Sequence, residues 1–139
     1  MDRVVIERKL ESLRRCVARV RAKRPADLSA LIADLDAQDV LVLNLSRAVQ
    51  LCVDIGAHIV AASDSATPVT MGDTFMRLAE MGMLDGGLAK RLRGAVGFRN
   101  IAVHNYEVID WAIVHALSAA SLTDFEDFAR LVARQLLAD

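Results

Sequence analysis

Arg99, Asn100, His104 and Tyr106 put four side chains with chemical capability inside eight positions, in the run Phe98-Arg99-Asn100-Ile101-Ala102-Val103-His104-Asn105-Tyr106-Glu107. Histidine titrates near neutral pH and can take up or give back a proton during a reaction. Arginine keeps its charge at any physiological pH, and its planar fork donates paired hydrogen bonds to phosphate oxygens. Cleaving RNA without a metal needs both: a group that moves protons from the ribose 2′-hydroxyl or to the leaving oxygen, and a fixed cation for the phosphorane-like transition state. Asn100 suits an orienting role, toward either group or the substrate. Tyr106 offers a hydroxyl beside a phosphate-binding site, as a ligand contact or an acceptor for modification.

Spacing sets a condition on this chemistry. Five residues of continuous helix turn the azimuth by about 500°, so Arg99 and His104 would point roughly 140° apart. A bend or helix end within about residues 100–105 would let them converge, and a dimer could bring two such pairs into one cleft. Plainer roles fit the same residues: a surface arginine, a histidine favoured at a helix end by the negative end of the helix dipole, and a half-buried core tyrosine. Lys90, Arg91 and Arg93, one to two turns earlier, suit either an extension of a phosphate-binding surface or an ordinary solvated face.

Taken together, Arg99-Asn100-x-x-x-His104-x-Tyr106 resembles the motif of HepT-like toxins, a branch of the HEPN superfamily whose broader signature is Arg, four to six residues, then His. Arg and His alone at that distance are unspecific; the four positions together are not. The run 51–59, LCVDIGAHI, is similar to the family's long central helix, and 75–82, FMRLAEMG, to its next one, so the resemblance covers most of the chain. It implies an all-α, HEPN-like up-and-down bundle, homodimeric, cleaving RNA where the two motifs face each other, with Arg99 and His104 as the catalytic pair. It also implies a partner, a minimal nucleotidyltransferase antitoxin that transfers AMP from ATP to Tyr106. A second function fits the same cleft: a non-catalytic nucleotide- or substrate-binding subunit of a nucleotidyltransferase complex, which would have no use for a proton-transfer group at His104.

The elements that must hold this segment are helical. Hydrophobic residues make up 54% of the 139 and aromatics only 4%, with 7 Gly and 2 Pro, a balance of Ala, Leu and Val that favours helices over strands. Ile6, Leu10, Leu13, Val17 and Val20 form one stripe on a helix to about residue 23, which Pro25 ends. Asp27 caps a short helix to about Asp34, with Leu28, Leu31 and Ile32 inward. The segment at about 37–62 is apolar almost all round, which predicts a central helix or one covered by a second subunit. After a polar loop at 63–68, Thr70 and Asp73 open a helix with Phe75, Met76 and Leu78 inside; Gly82 stops it. Asp85 caps the next, which carries Leu88, Leu92, Val96 and Ile101 inward and leads to the motif. Residues 108–120 read as a separate helix facing inward through Ile109, Ala112, Ile113 and Leu117. Thr123 and Glu126 then make a capping box for a last one.

One domain spanning 1–139 is the expectation at this length. Cys16 and Cys52 sit among apolar neighbours and read as reduced core thiols, so no metal and no cofactor is expected. No membrane association is expected either, and the lack of an export signal makes the cytoplasm the expected location. The net charge of -1 conceals an asymmetry: residues 1–24 hold nine Lys/Arg against three Asp/Glu. A basic first helix suits nucleic acid or an acidic partner, and equally a solvated face balanced by the acidic remainder. Asp54 and His58, one turn apart, can pair on a helix face, with a minor functional role for His58 as the alternative, and His115 is expected to be structural.

Overall fold

Helices start in this protein where a carboxylate or hydroxyl is available to accept an otherwise unpaired amide. In the computed structural model, which describes residues 2–138, Asp2 accepts from the Val5 amide at 3.2 Å and opens α1 (Arg3–Lys23). Asp27 accepts from Ala30 at 2.9 Å and opens α2 (Leu28–Ala33). Asp34, expected to lie at the end of that short helix, also accepts from Ala37 at 3.0 Å and so starts α3 (Leu35–Ala61) two residues earlier than the apolar pattern suggests. Thr70 accepts from Asp73 at 3.1 Å, while the Asp73 carboxylate reaches back to the Val69 amide, opening α4 (Met71–Glu80). Asp85 accepts from Leu88 at 2.8 Å and opens α5 (Gly86–His104). Each such cap is worth about 0.5–2 kcal/mol.

The stops are equally local. Arg24 leaves helical geometry directly before Pro25, whose ring disfavours the α conformation in the residue ahead of it. At Gly82 the backbone turns to φ 79°, Met83 N–H donates to the Leu78 carbonyl at 2.9 Å and Gly82 N–H to that of Ala79 at 3.0 Å, closing the end of α4 as a left-handed cap.

The last helix corrects the sequence reading. Residues 111–138 form one uninterrupted helix, α6 (Trp111–Ala138), and Thr123 lies inside it. No Gly or Pro falls between the two expected segments, and Val114, Ser118, Ser121, Phe125, Phe128, Val132 and Leu136 continue one buried stripe at spacings of three and four. That stripe outweighs the capping tendency of Thr123. It also turns the expected inner face: Ile113 is exposed and Val114 is buried. Ile32 and Ile101, likewise expected inside, are exposed, while Leu31 and Val96 are buried as expected.

The helices pack up and down. Lys9 near the start of α1 lies 3.6 Å from Asp54 near the end of α3, while Arg21 and Arg24 at the other end of α1 reach Glu126 and Ser118 of α6, so α1 runs antiparallel to both. Phe75 of α4 meets Phe128 of α6 edge to face, ring centres 6.1 Å apart. His115 is structural, as expected: its Nε2 lies 3.0 Å from the Pro25 carbonyl and its Nδ1 3.3 Å from the Arg24 guanidinium, tying α6 to the end of α1. Asp54 does not pair with His58; it accepts from Gln50 at 2.8 Å and faces Lys9.

Helix α3 is the centre of the bundle. It alone among the described residues is long and apolar enough to cross a bilayer, but 56% of its apolar window is buried inside the protein, which accounts for that composition. Cys16 and Cys52 are both free and buried in the core, and burial raises the pKa of each thiol. Where α4 crosses α3, the close approach depends on Gly56: a Cβ there would come within 2.7 Å of Thr74 Cγ2 and 3.1 Å of Leu78 Cδ1, both on buried side chains. Gly56→Ala is therefore expected to destabilise the fold by about 1–3 kcal/mol through overpacking. Gly94→Ala, on a helix position with nothing within 4 Å, is expected to stabilise it by up to about 1 kcal/mol. Urea unfolding of the two variants beside the parent checks both signs.

Candidate active site

Helix α5 carries the motif and remains regular through its last residue, His104. Asn105, at φ -151° and ψ 54°, leaves helical geometry while its amide still donates to the Ile101 carbonyl at 2.8 Å. A short 3-10 turn (Tyr106–Val108) follows, and Asp110 accepts from the Ala112 amide at 2.9 Å to start α6. The chain therefore reverses within a few residues of the motif, placing it at one end of the bundle.

The helix ends inside the expected window but at its late edge, after His104, so the backbone between Arg99 and His104 is still regular helix. On regular helix they remain about 140° apart. Arg99 is half-buried, and its Nη1 donates to Asn100 Oδ1 at 3.2 Å, so Asn100 orients the guanidinium within its own chain. His104 is exposed, and among the described residues its ring has no hydrogen-bond partner.

Tyr106 occupies a different setting. Its Oη donates to Asp39 Oδ1 of α3 at 3.3 Å, and its ring stands edge-on to Trp111, centres 6.2 Å apart. At 43% exposure it is not a core tyrosine, and its hydroxyl is within reach of an incoming molecule. Asp39, Leu43 and Ser46 of α3 and Ala102, Val103 and Tyr106 line a cleft of about 330 Å³ beside it. Asp39 was not legible as a site residue: it lies 67 positions from Tyr106, and only its charge at the start of an apolar helix marked it.

Partial burial, followed by the charge and hydrogen bond of Asp39, raises the Tyr106 pKa above its usual value of 10.0. The phenol is thus a neutral donor at physiological pH. Tyr106 is the chain's one tyrosine, so phenolate absorbance reads it directly. Its titration midpoint is expected above 10.0, and Asp39→Asn is expected to bring it part of the way down, leaving the contribution of burial. An unchanged midpoint in that variant would show that the two side chains do not meet.

The three basic residues ahead of the motif do not form one surface. Arg91 Nε donates to Asp124 Oδ1 of α6 at 2.9 Å, and this bond raises its pKa. Arg93 lies over Gly72 of α4, where a Cβ would come within 2.8 Å of its Cγ. Lys90 is exposed and, among the described residues, outside any ion pair. Arg93 is likewise exposed and, among the described residues, outside any ion pair, so Lys90 and Arg93 are the two of the three left free to meet a phosphate.

An antiparallel helical bundle whose fifth helix ends on Arg-Asn-x-x-x-His, with a tyrosine two residues beyond, defines a HEPN-type helical domain. More narrowly, the chain belongs to the family described as Ribonuclease HepT-like, whose pattern matches residues 6–132. It is similar to the mRNA nuclease HepT of Shewanella oneidensis, 33% identical over 92% of this chain and 96% of the relative. A tRNA nuclease HepT of Aphanizomenon flos-aquae is 25% identical over 99% of this chain and 93% of the relative. Among solved structures, the tri-AMPylated Shewanella oneidensis HEPN toxin in complex with MNT antitoxin matches with a TM-score of 0.88 at 32% identity, covering 96% of this chain and 99% of that one.

Proposed function

We propose that this chain is the toxin of a bacterial toxin–antitoxin pair: an endoribonuclease that works without a metal and is silenced when a nucleotidyltransferase antitoxin adds AMP to Tyr106. Residues 1–139 act as a single helical domain in a cytoplasmic homodimer. Its two motifs face one cleft, so that Arg99 of one chain works with His104 of the other. The observation that carries the reading is the placement of an exposed tyrosine hydroxyl two residues beyond an exposed, unpartnered histidine at the end of α5. The nucleases named among its relatives and the AMPylated toxin among its structural neighbours support it.

In the nuclease reaction His104 takes the proton of a ribose 2′-hydroxyl as that oxygen bonds to the adjacent phosphorus. The bond from phosphorus to the 5′ oxygen breaks, and the leaving oxygen takes a proton from water. Arg99, held by Asn100, donates to the non-bridging oxygens as their charge grows. In the silencing reaction the Tyr106 oxygen attacks the α-phosphorus of ATP, pyrophosphate leaves, and the phenolic proton is lost. The product carries a negative phosphodiester and an adenosine at the cleft, which repel RNA and occupy its place.

Growth of a bacterial host separates the parts of this reading. Induction of the parent chain alone is expected to arrest growth, and co-expression of the nucleotidyltransferase to restore it, with intact mass showing added AMP. Tyr106→Phe is expected to remain toxic beside the partner and to gain no mass. A Tyr106→Phe chain that is modified and neutralised like the parent would remove Tyr106 from the role.

A further inference from the structure

The basic first helix has no part in the chemistry above, and an open cavity lies against it. Between α1 and α3 runs an open groove of about 730 Å³, walled on one side by Ser12, Arg15 and Arg19 and on the other by Asn44 and Arg47. Arg15 and Arg19 are one helical turn apart and so share a face of α1. Arg47 of α3 lines the same groove from across. All three guanidinium groups are exposed, and among the described residues none is in an ion pair; Arg15 donates only to the Ser12 hydroxyl, at 3.1 Å.

Two carboxylates also line this groove, and one of them is paired with a cation. Asp54 is held by Lys9 and Gln50, and Asp39 accepts the Tyr106 hydroxyl. With Asp54 offset by Lys9 and Asp39 still charged, the groove presents three unpaired arginines against one carboxylate, with Val40, Leu43 and Leu51 as its apolar part. Asp39 and Leu43 also line the cleft beside Tyr106, so the two depressions meet across one ridge of α3.

We propose that this groove is a second RNA-binding site of the toxin, in which Arg15, Arg19 and Arg47 hold backbone phosphates of the single strand whose scissile bond lies in the dimer cleft. Guanidinium groups on two helices suit the repeating phosphates of a strand, and the apolar ridge suits the faces of its bases. The inference rests on the ribonuclease reading. It gives the basic first helix a purpose: it feeds the strand past Tyr106, so AMP added there interrupts a continuous path.

Binding of a fluorescein-labelled single-stranded RNA of mixed sequence, followed by anisotropy across a salt series, tests it. The background is the full-length His104→Ala chain, which binds without cutting. Adding Arg15→Gln, Arg19→Gln and Arg47→Gln together is expected to weaken binding about tenfold or more. The log–log salt slope should become shallower by about 0.7 for each phosphate no longer neutralised, about 2 in all. The corresponding triple Lys variant keeps the charge and is expected to keep most of the slope, which a folding defect would not allow. Unchanged affinity and slope in the Gln variant overturn the proposal. So does a Gln variant that binds RNA normally but no longer forms the homodimer or the complex with the nucleotidyltransferase, since the groove would then belong to a protein. Cleavage by the parent chain, measured separately, tests the ribonuclease reading on its own.

Discussion

His104→Ala is expected to lower RNA cleavage by about 10²- to 10⁴-fold, the usual contribution of a positioned proton-transfer group, while leaving the fold unchanged. The ring is exposed at the last position of α5 and bonds to nothing among the described residues, so its removal leaves no cavity and no unpaired buried group. Arg99→Ala is expected to cost about 10²- to 10³-fold, as loss of one fixed donor to a developing charge does elsewhere. The regular geometry of α5 adds a sharper expectation. Since the backbone of α5 sets Arg99 and His104 of one chain about 140° apart, the proposed dimer pairs Arg99 of one chain with His104 of the other. Co-expressing an Arg99→Ala chain with a His104→Ala chain should then produce mixed dimers with one intact pair, and cleavage that neither variant shows alone. If the mixture is as inactive as its components while mixed dimers are present, the pair does not form across chains.

The second large effect is on stability. Phe75 and Phe128 are fully buried and meet edge to face where α4 and α6 close the core. Truncating Phe128 to alanine removes a ring that the surrounding helices cannot replace, at about 3–5 kcal/mol. Against a typical total of about 5–15 kcal/mol, that loss brings the protein close to unfolding at ordinary temperatures. Leu137→Ala, on an 83% exposed side chain, is expected to change stability by no more than about 0.5 kcal/mol. Urea midpoints for the two variants make the comparison. A Phe128→Ala protein as stable as Leu137→Ala would mean that α6 does not pack as described.

Much of this architecture was legible because short-range chemistry sets it. Asp27, Thr70 and Asp85 each cap a helix through their own side chain, and Gly82 ends one through a backbone angle that other residues avoid. The same rules misled where a longer pattern competed. Thr123 and Glu126 have the spacing of a capping box, yet the stripe from Val114 to Leu136 keeps α6 continuous through them. Ile101 and Ile113 look like core residues by type, and their exposure follows from helix rotation that only the neighbouring elements determine.

The site divides in the same way. The motif was legible as a string of residues, whereas the regular course of α5 through His104, which decides whether Arg99 and His104 can meet, was not. The Tyr106–Asp39 bond spans 67 positions, and no local spacing encodes it. The charge of the first helix was visible, but its convergence with Arg47 depends on how α1 lies against α3. The apolar character of α3, which suited either a central helix or one covered by a second subunit, is accounted for in large part by its place at the centre of the bundle. Its exposed Leu43 remains beside the Tyr106 cleft.

The most direct measurement is cleavage of total bacterial RNA by the purified chain in excess chelator, before and after incubation with the nucleotidyltransferase, ATP and magnesium, the chelator being restored for the assay. A metal-independent nuclease silenced by adenylation degrades RNA in the first case. In the second it leaves the RNA intact and carries AMP on Tyr106. RNA left intact by the unmodified chain until a divalent metal is supplied, or cut equally well after Tyr106 is fully adenylated, would contradict that account.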